Sequence, residues 1–436
     1  MNHFPEDIDQ RSAEEIKKYQ EEQLKELLQY VNKHSRFYSE QFKEHSIKTD
    51  EIESLDDLEK LPFTTKDDLY EQNNDFICVD RQKIVDYITT SGTLGDPVTF
   101  AMTDADLERL AYNEYISFKC SDGSHDDIYQ LMVTLDRRFM AGLAYFLGIK
   151  KLGAGMVRVG NGMIELQWDT IRRIKPNALV AVPSFILKLI EYAEAHGIDF
   201  KNSSIKKAIC IGEALRNPDF TLNTLGQRIK DKWDIKLYST YASTEMGAAF
   251  AECGQGIGGH HRPELLITEF VDEYNNPVKD GEAGELVITT LGVEGMPLIR
   301  FKTGDIVEHH AEPCQCGRNS TRLGPVIGRK NEMIKYKGTT LYPPALYDIL
   351  NNMQGIENYI VEVSTNQIGT DDILIRVATN GNKPDNFEKL IKDHFRAKLR
   401  VAPTIQFESR ESINRVKFPE LKRKPVVFID KRKKNS

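Results

Sequence analysis

The chain has 436 residues, a net charge of −8 and 28% charged residues. Its mean hydropathy of −0.46 and the lack of any run of 18 apolar residues exclude a membrane span, and its length predicts two or more domains. The acidic balance excludes a protein dedicated to nucleic acid, which needs a basic face.

The cysteine content and the N-terminal residues indicate the cellular compartment of the protein. Six cysteines are too few for a disulfide scaffold in a chain of this size, so a reducing cytoplasm is expected. The first residues, MNHFPEDIDQRSAEE, are acidic and lack the apolar core of a secretory signal.

The first predicted element is a helix, because Ser12 and Glu15 form a capping-box pattern and apolar residues follow at helical spacing up to Val31. From about 130 to 240, apolar runs alternate with amphipathic stretches that predict helices. The predicted strands are LMVTL, NALVAV, KKAICIG and IKLYST. This alternation predicts an α/β fold with mostly parallel sheets flanked by helices, and ligands near the carboxyl ends of the strands.

Further along the chain the pattern changes twice. ELLITEF, GELVITTLG and IVEHH, separated by turns, predict an antiparallel β subdomain around 248–325. NYIVEV, ILIRVAT, the helix NFEKLIKDHFRAKL and VVFID then predict a small α+β unit. The expected domains are 1–328 and 329–436, and their short junction favours a hinge, which makes the C-terminal domain mobile.

Four segments carry polar chemistry. TTSGTLGDP at 89–97 offers hydroxyls and flexible amides that suit a phosphate, although such clusters are more often ordinary turns. YSTYASTEMG brings Glu245 beside hydroxyls, a combination typical of Mg²⁺ near phosphate. In IRFKTGDIV, Asp305 follows a Thr-Gly turn from which it could bind ribose hydroxyls. GRKNEMIKYKG contains Arg329, at the expected domain junction.

These segments, in this order, resemble the signatures of the ANL adenylate-forming enzymes, and the chain most resembles the phenylacetate–CoA ligase family within that superfamily. SRFYSEQF, LPFTTKDDLY and the ICIGEAL strand also match segments of that family. The resemblance covers nearly the whole chain. One departure is Asp96, because the family usually has lysine at this position, and its role stays open.

The resemblance implies roles for particular residues. The loop over the β- and γ-phosphates of ATP would consist of Thr90, Ser91, Gly92, Thr93 and Gly95. The adenine and the neighbouring acyl pocket would be framed by Gly212, Glu213, Ala214 and Tyr241. Thr244 would contact the α-phosphate, Glu245 would hold Mg²⁺, and Asp305 would bind the ribose, assisted by Arg329.

The family also carries a catalytic lysine near its C-terminus, and RVKFPELKRKPVVFID fits in two registers. Matching ELK selects Lys422, whereas counting back from FID selects Lys424; Lys422 is narrowly favoured, and the other lysine would be a solvated surface residue. The family's hinge position falls on Asn331, where an acidic residue is more usual.

A zinc site is a further expectation. Thiolates and imidazole are the ligands that tetrahedral Zn²⁺ prefers, and Cys253, Cys314 and Cys316 supply them with either His260 or His261. Buried free thiols beside surface histidines are the alternative. The resemblance implies a structural zinc, because many relatives carry Cys…His and Cys-x-Cys in these places. Counting back from the predicted strand that ends in Glu269 favours His260 over His261.

The resemblance implies an ATP-dependent ligase that joins an aryl acid such as phenylacetate to coenzyme A. The carboxylate and ATP would give an acyl-adenylate and pyrophosphate, and the CoA thiol would then displace AMP. Two alternatives remain: acyl transfer to a carrier-protein phosphopantetheine, and a zinc-stapled binding protein without catalysis. The segment DRRFMAGLAYF could line the acyl pocket through Phe139, although a buried amphipathic helix is favoured there. The resemblance also allows a homodimer.

Overall fold

The computed structural model describes residues 4–90, 98–336, 339–366, 371–379, 381, 386–418 and 425–432. The chain divides into two compact units. The first comprises Met1–Thr303 and Val307–Pro325, and the second comprises Gly304–Ile306 and Val326–Ser436.

The first unit contains eight α-helices and thirteen strands in its described part. The helices are α1 (Ala13–His34), α2 (Arg36–Glu44), α3 (Lys66–Glu71), α4 (Asp104–Cys120), α5 (Met140–Leu152), α6 (Ile164–Ile174), α7 (Pro183–Ala195) and α8 (Thr224–Lys232). The strands are β1 (Ile84–Thr89), β2 (Thr99–Thr103), β3 (Ile128–Leu131), β4 (Gly155–Arg158), β5 (Ala178–Ala181), β6 (Lys207–Ile211), β7 (Lys236–Ser243), β8 (Ala248–Glu252), β9 (Gly259–His260), β10 (Leu266–Val271), β11 (Ala283–Thr290), β12 (Phe301–His310) and β13 (Arg322–Leu323).

The predicted start of α1 is confirmed. Ser12 caps the helix by accepting a hydrogen bond from the backbone N of Glu15, while the Glu15 side chain accepts one from the backbone N of Ser12. This reciprocal pair satisfies two backbone donors that the first helical turn would otherwise leave open. Leu24, Leu28 and Val31 lie on the buried face, as the helical spacing predicts.

The predicted α/β class is confirmed by the main sheet. Its strand order is β10-β11-β12-β13-β9-β8-β7-β6-β5-β3-β4, and the run β4-β3-β5-β6-β7 is parallel throughout. From β7 onward, β8, β9 and β13 join by antiparallel pairs. The strands of the expected β subdomain therefore continue the parallel sheet across a hydrogen-bonded edge.

One strand prediction was wrong in position. LMVTL, which begins at Leu131, was expected to be a strand. The strand β3 instead spans Ile128–Leu131, so only the first residue of LMVTL belongs to it. Met132 and Val133 are nevertheless buried. Apolar character persists after the strand because the connection runs through the core, so the pattern cannot separate the strand from its exit.

The second unit is built around a four-stranded sheet. Its strands and helices are β14 (Gly328–Arg329), β15 (Ile334–Tyr336), β16 (Thr339–Leu341), α9 (Pro343–Asn352), β17 (Ile356–Thr365), β18 (Asp371–Thr379), α10 (Phe387–Leu399), β19 (Thr404–Phe407), α11 (Arg410–Lys417) and β20 (Phe428–Asp430). The sheet order is β19-β18-β17-β20, with an antiparallel centre and parallel edges. Ile375, Phe387 and Ile391 belong to its buried core.

Among the residues that the structure describes, every helix is too short or too polar to cross a lipid bilayer.

Candidate functional site

The segment Gly212–Ala214 lies directly after β6. Gly212 has φ +74°, a left-handed conformation that glycine adopts without strain. The Glu213 carboxylate accepts hydrogen bonds from the backbone N and the Oγ of Ser184, at 2.9 and 2.8 Å. Asn223 Nδ2 donates to the Ala214 carbonyl at 2.8 Å. The segment is therefore held on both sides, while Gly212 and Ala214 stay exposed.

The neighbouring strand β7 carries the next group of predicted residues to the same edge. β7 continues along β8 as far as Ser243, but its parallel pairing with β6 ends at Ile211 and Thr240. Tyr241 follows at once and stacks on Phe250 of β8, with ring centroids 5.9 Å apart. The carboxyl ends of adjacent parallel strands thus bring Tyr241 and the Gly212 turn together.

Thr244 and Glu245 come directly after β7 and are partly buried. Both line a small cavity whose other walls include the apolar side chains of Phe100, Met102 and Met140. Asp106 and Arg109 also line this cavity, so Thr244 and Glu245 lie among both apolar and charged side chains. The prediction for Phe139 concerns the same region, because Phe139 precedes Met140 at the start of α5.

The segment that follows β7 is held in place by a buried arginine, which the sequence pattern did not identify. Arg109 of α4 is 3% exposed, and its guanidinium donates to the carbonyls of Gly247, Leu265 and Leu291 at 2.7 to 2.8 Å. Burial lowers the pKa of Arg109 to about 10. Arginines in helices are usually exposed, so the sequence pattern does not predict that Arg109 is buried. Only the long-range carbonyl contacts identify its role.

The predicted phosphate loop connects the two strands of a hairpin. β1 and β2 pair as far as Thr89 and Thr99. Thr90 then closes the base of the loop, because its N donates to the Val98 carbonyl at 3.0 Å and its Oγ1 accepts from Val98 N at 3.2 Å. The remaining predicted residues Ser91, Gly92, Thr93 and Gly95, together with Asp96, lie outside the described residues, as do Lys422 and Lys424.

Asp305 lies in the short part of β12, Gly304–Ile306, that belongs to the second unit, and it faces Arg329 of the same unit. They are register partners between β12 and β14, and Arg329 Nε lies 3.4 Å from Asp305 Oδ1. The prediction of a Thr-Gly turn before Asp305 was wrong, because β12 runs without interruption through this position. Gly304 has φ +76°, and the strand absorbs this left-handed residue without ending.

Four of the five candidate zinc ligands meet in one cluster. The ligand atoms of Cys253, His260, Cys314 and Cys316 all lie within 4.8 Å of one another. Cys253 Sγ is 3.8 Å from Cys314 Sγ, and Cys316 Sγ is 3.4 Å from His260 Nε2. Tetrahedral Zn²⁺ with bonds of about 2.3 Å to sulfur and about 2.0 Å to nitrogen would separate its ligands by roughly 3.5 to 3.8 Å. The donor set and spacing therefore fit zinc. His261 lies outside the cluster and contacts the Leu266 carbonyl through Nε2 at 2.8 Å.

The surroundings of the cluster suit metal ligation. Burial lowers the pKa of His260 to about 3, which keeps its imidazole neutral. Burial opposes ionisation of Cys316, but hydrogen bonds with Arg318, Cys314 and Cys253 outweigh it and hold the pKa of this thiol below its ordinary value. Arg318 Nη1 lies 3.5 Å from Cys316 Sγ, and its Nε donates to Asp9 at 2.8 Å. A cationic group thus faces the thiolate edge of the cluster.

These features define the class of the protein. The parallel strands β6 and β7 end beside a glycine turn, hydroxyls and a carboxylate. The carboxyl-terminal edge of a parallel sheet is where α/β proteins bind nucleotides. The chain belongs to the AMP-binding enzyme family, whose model matches residues 9–295.

Individual relatives confirm the resemblance to phenylacetate–CoA ligases. The chain is 28% identical to the phenylacetate–coenzyme A ligase of Thermus thermophilus over 77% of its own length and 75% of the relative's. It is also 28% identical to that of Aromatoleum evansii, over 89% and 88% of the two chains. A crystal structure of 2-hydroxyisobutyryl-CoA ligase with an acyl-adenylate matches with a TM-score of 0.85 and 23% identity, covering 98% of this chain and 94% of that one. This last match supports the fold.

Proposed function

We propose that the protein is an ATP-dependent aryl acid–CoA ligase, with phenylacetate or a similar acid as its substrate. The observation that carries this proposal is the match to phenylacetate–CoA ligases over 77% and 89% of the chain, within a family of AMP-binding enzymes. The reaction joins the carboxylate oxygen to the α-phosphorus of ATP with departure of pyrophosphate. The CoA thiol then attacks the acyl carbon, and AMP leaves.

The first half-reaction brings two anions together, so it requires oriented donors and positive charge. We assign the β- and γ-phosphates to a loop made of Thr90, Ser91, Gly92, Thr93 and Gly95. We assign the adenine and the adjoining acyl pocket to Gly212, Glu213, Ala214 and Tyr241. The anchored carboxylate of Glu213 and the stacked ring of Tyr241 support this assignment, because a rigid edge binds a planar base with little loss of entropy.

Thr244 is assigned to the α-phosphate and Glu245 to Mg²⁺, whose preferred ligands are oxygens. Bound Mg²⁺ would offset phosphate charge. Asp305 is assigned to the ribose hydroxyls, and the guanidinium of Arg329 beside it would orient its carboxylate.

The catalytic lysine is assigned to Lys422, with Lys424 as the other candidate. Alanine variants of each lysine, assayed separately, distinguish them. The adenylation rate should fall steeply for one variant and stay near that of the wild type for the other. Equal rates for both variants and the wild type would contradict a lysine in this segment.

We assign a structural Zn²⁺ to Cys253, His260, Cys314 and Cys316. Four protein ligands leave no open position, so the metal would stabilise the fold without taking part in the reaction. Arg318 would offset the surplus negative charge of three thiolates around a divalent ion. All six cysteines are unpaired, which supports our assignment of the protein to the cytoplasm.

The test is ATP–pyrophosphate exchange in the presence of phenylacetate and related aryl acids. Exchange that depends on the acid is the expected result. Absence of exchange over a broad panel of acids would contradict the proposal and favour the rival of a zinc-stapled binding protein. Parallel assays with CoA and with a holo-carrier protein separate the two acceptor thiols, and faster product formation with CoA is expected.

A further inference from the structure

The loop between β3 and α5 contains two adjacent residues in an unfavourable conformation. Arg137 and Arg138 have φ values of +60° and +57°. This left-handed region brings the Cβ of an L-residue close to the following carbonyl, and glycine is the usual occupant. Two successive arginines in this region require a surrounding structure that holds them there.

Contacts on both sides hold the loop. The Arg138 carbonyl accepts a hydrogen bond from Thr89 N, the last residue of β1, at 3.1 Å. On the other side, Gly142 of α5 packs so closely on the loop that an added Cβ would lie 1.8 Å from the Thr134 carbonyl oxygen. The loop is therefore fixed between the first turn of α5 and the strand that leads to Thr90.

The two arginines differ in their partners. Asp136 Oδ2 lies 3.8 Å from Arg137 Nε, so Arg137 has a nearby counter-charge. Arg138 is exposed, and its guanidinium contacts no acidic or polar side chain within the described part of the chain. Beside it, Thr89 is 3% exposed, and its buried Oγ1 has no hydrogen-bond partner among the described residues. An uncompensated cation and an unsatisfied hydroxyl thus occur at the same strand end.

The sequence explains why a cation is useful at this position. The stretch from Thr90 to Val98 contains no lysine or arginine, and its only charged residue is Asp96. A phosphate bound at this end of the hairpin would therefore receive no positive charge from the connecting segment itself. Arg138, attached to Thr89 through its carbonyl, can supply that charge from a different part of the chain.

We propose that Arg138 binds the β- and γ-phosphates of ATP and the departing pyrophosphate, an inference that rests on the proposed function. When the bond between the α-phosphorus and the bridging oxygen breaks, its electron pair leaves with pyrophosphate, and negative charge grows on the β-phosphate. A guanidinium forms paired, charge-assisted hydrogen bonds to such oxygens. Arg138 thereby replaces the basic residue that the hairpin connection lacks.

The test compares Arg138→Gln with Arg137→Gln. Both variants remove one charge from the same loop at neighbouring left-handed positions, so their effects on the backbone are matched. Binding of Mg·ATP and of pyrophosphate is measured by calorimetry without acid. For Arg138→Gln both dissociation constants should rise by roughly tenfold or more, and for Arg137→Gln they should change by less than about threefold.

A glycine variant separates binding from folding. Arg138→Gly removes the charge and relieves the left-handed strain, so its melting temperature should equal or exceed that of the wild type while nucleotide affinity falls. Equal losses for the Arg137 and Arg138 glutamine variants, or unchanged affinity in Arg138→Gln, would overturn the inference. If Arg138→Gln raised only the KM for the acid, the inference would also be overturned. Arg138 would then bind a second anionic group on the acyl substrate.

The two proposals can fail separately. If the wild type binds Mg·ATP but catalyses no pyrophosphate exchange, the ligase proposal fails, and the binding comparison still decides the role of Arg138. If exchange proceeds and the variants bind ATP equally, the Arg138 inference alone fails. A wild type that binds neither ATP nor pyrophosphate overturns both.

Discussion

Replacing Glu114 by glutamine should make the stability of the first unit less sensitive to a rise in pH from about 5 to about 8. Glu114 lies on α4, is 4% exposed and packs against α5, where an added Cβ on Gly148 would lie 2.2 Å from its own Cβ. Asn113 Nδ2 donates to its carboxyl at 3.1 Å. Burial raises the pKa of Glu114 to about 8, while the charge of Arg262 and the Asn113 hydrogen bond oppose the rise.

The sign of the effect follows from proton binding. The pKa of Glu114 in the folded protein lies above its ordinary value of 4.5, so the unfolded chain loses its proton first as the pH rises. The stability that the buried neutral carboxyl contributes is complete below pH 4.5 and is lost progressively as the pH approaches about 8. At about 1.4 kcal/mol per pH unit, the interval from pH 5 to pH 8 corresponds to roughly 4 kcal/mol. Glutamine does not titrate, so Glu114→Gln should escape this loss.

Urea unfolding followed by tryptophan fluorescence measures the effect. The chain has two tryptophans, Trp168 and Trp233, and both are buried in the first unit with ring centroids 5.7 Å apart. The fluorescence therefore reports on the unit that contains Glu114. The advantage of the variant over the wild type in unfolding free energy should grow by several kcal/mol between pH 5 and pH 8.

A matched control is Glu108→Gln on the same helix, because the Glu108 side chain is 70% exposed. Its effect on stability should not change with pH over this range. If the difference between Glu114→Gln and the wild type were also constant from pH 5 to pH 8, Glu114 would ionise normally in the folded protein, and the reasoning from burial would be refuted.

Three further outcomes are expected. Cys314→Ser should reduce zinc to far below one ion per chain by elemental analysis, whereas Cys210→Ser, a buried core cysteine outside the cluster, should retain it; equal zinc in both would contradict the site. If Glu245 holds Mg²⁺ as we propose, Glu245→Gln should lower the rate of acyl-adenylate formation roughly 10²-fold in single-turnover assays, because an oriented charge near the phosphates is lost; an unchanged rate would contradict the assignment. If Asp305 binds the ribose as we propose, Asp305→Asn should raise the KM for ATP about tenfold, with a smaller change for 2′,3′-dideoxy-ATP, because a charged hydrogen bond to the ribose is lost; equal changes for both nucleotides would exclude ribose contact.

Local patterns sufficed for much of the fold. The capping box at Ser12, the alternation of apolar runs after residue 130 and the helix near Phe387 depend on contacts within a few residues, so spacing alone predicts them. The ordered polar segments around Glu245 and Asp305 also indicated the class of enzyme. The spacing of apolar residues misplaced the end of β3, because buried residues continue after Leu131. A turn was wrongly predicted before Asp305, because a left-handed glycine there lies within a strand.

By itself, then, the sequence determined the α/β class, the adenylate-forming family and the set of candidate ligands. Only the tertiary structure decided that His260 rather than His261 lies beside the three cysteines, that Arg109 is buried against three carbonyls, and that the Arg138 loop is joined to Thr89. The reason is that each of these contacts joins residues far apart in the chain. Periodicity records which side of an element is buried, but it carries no information about which distant element covers that side.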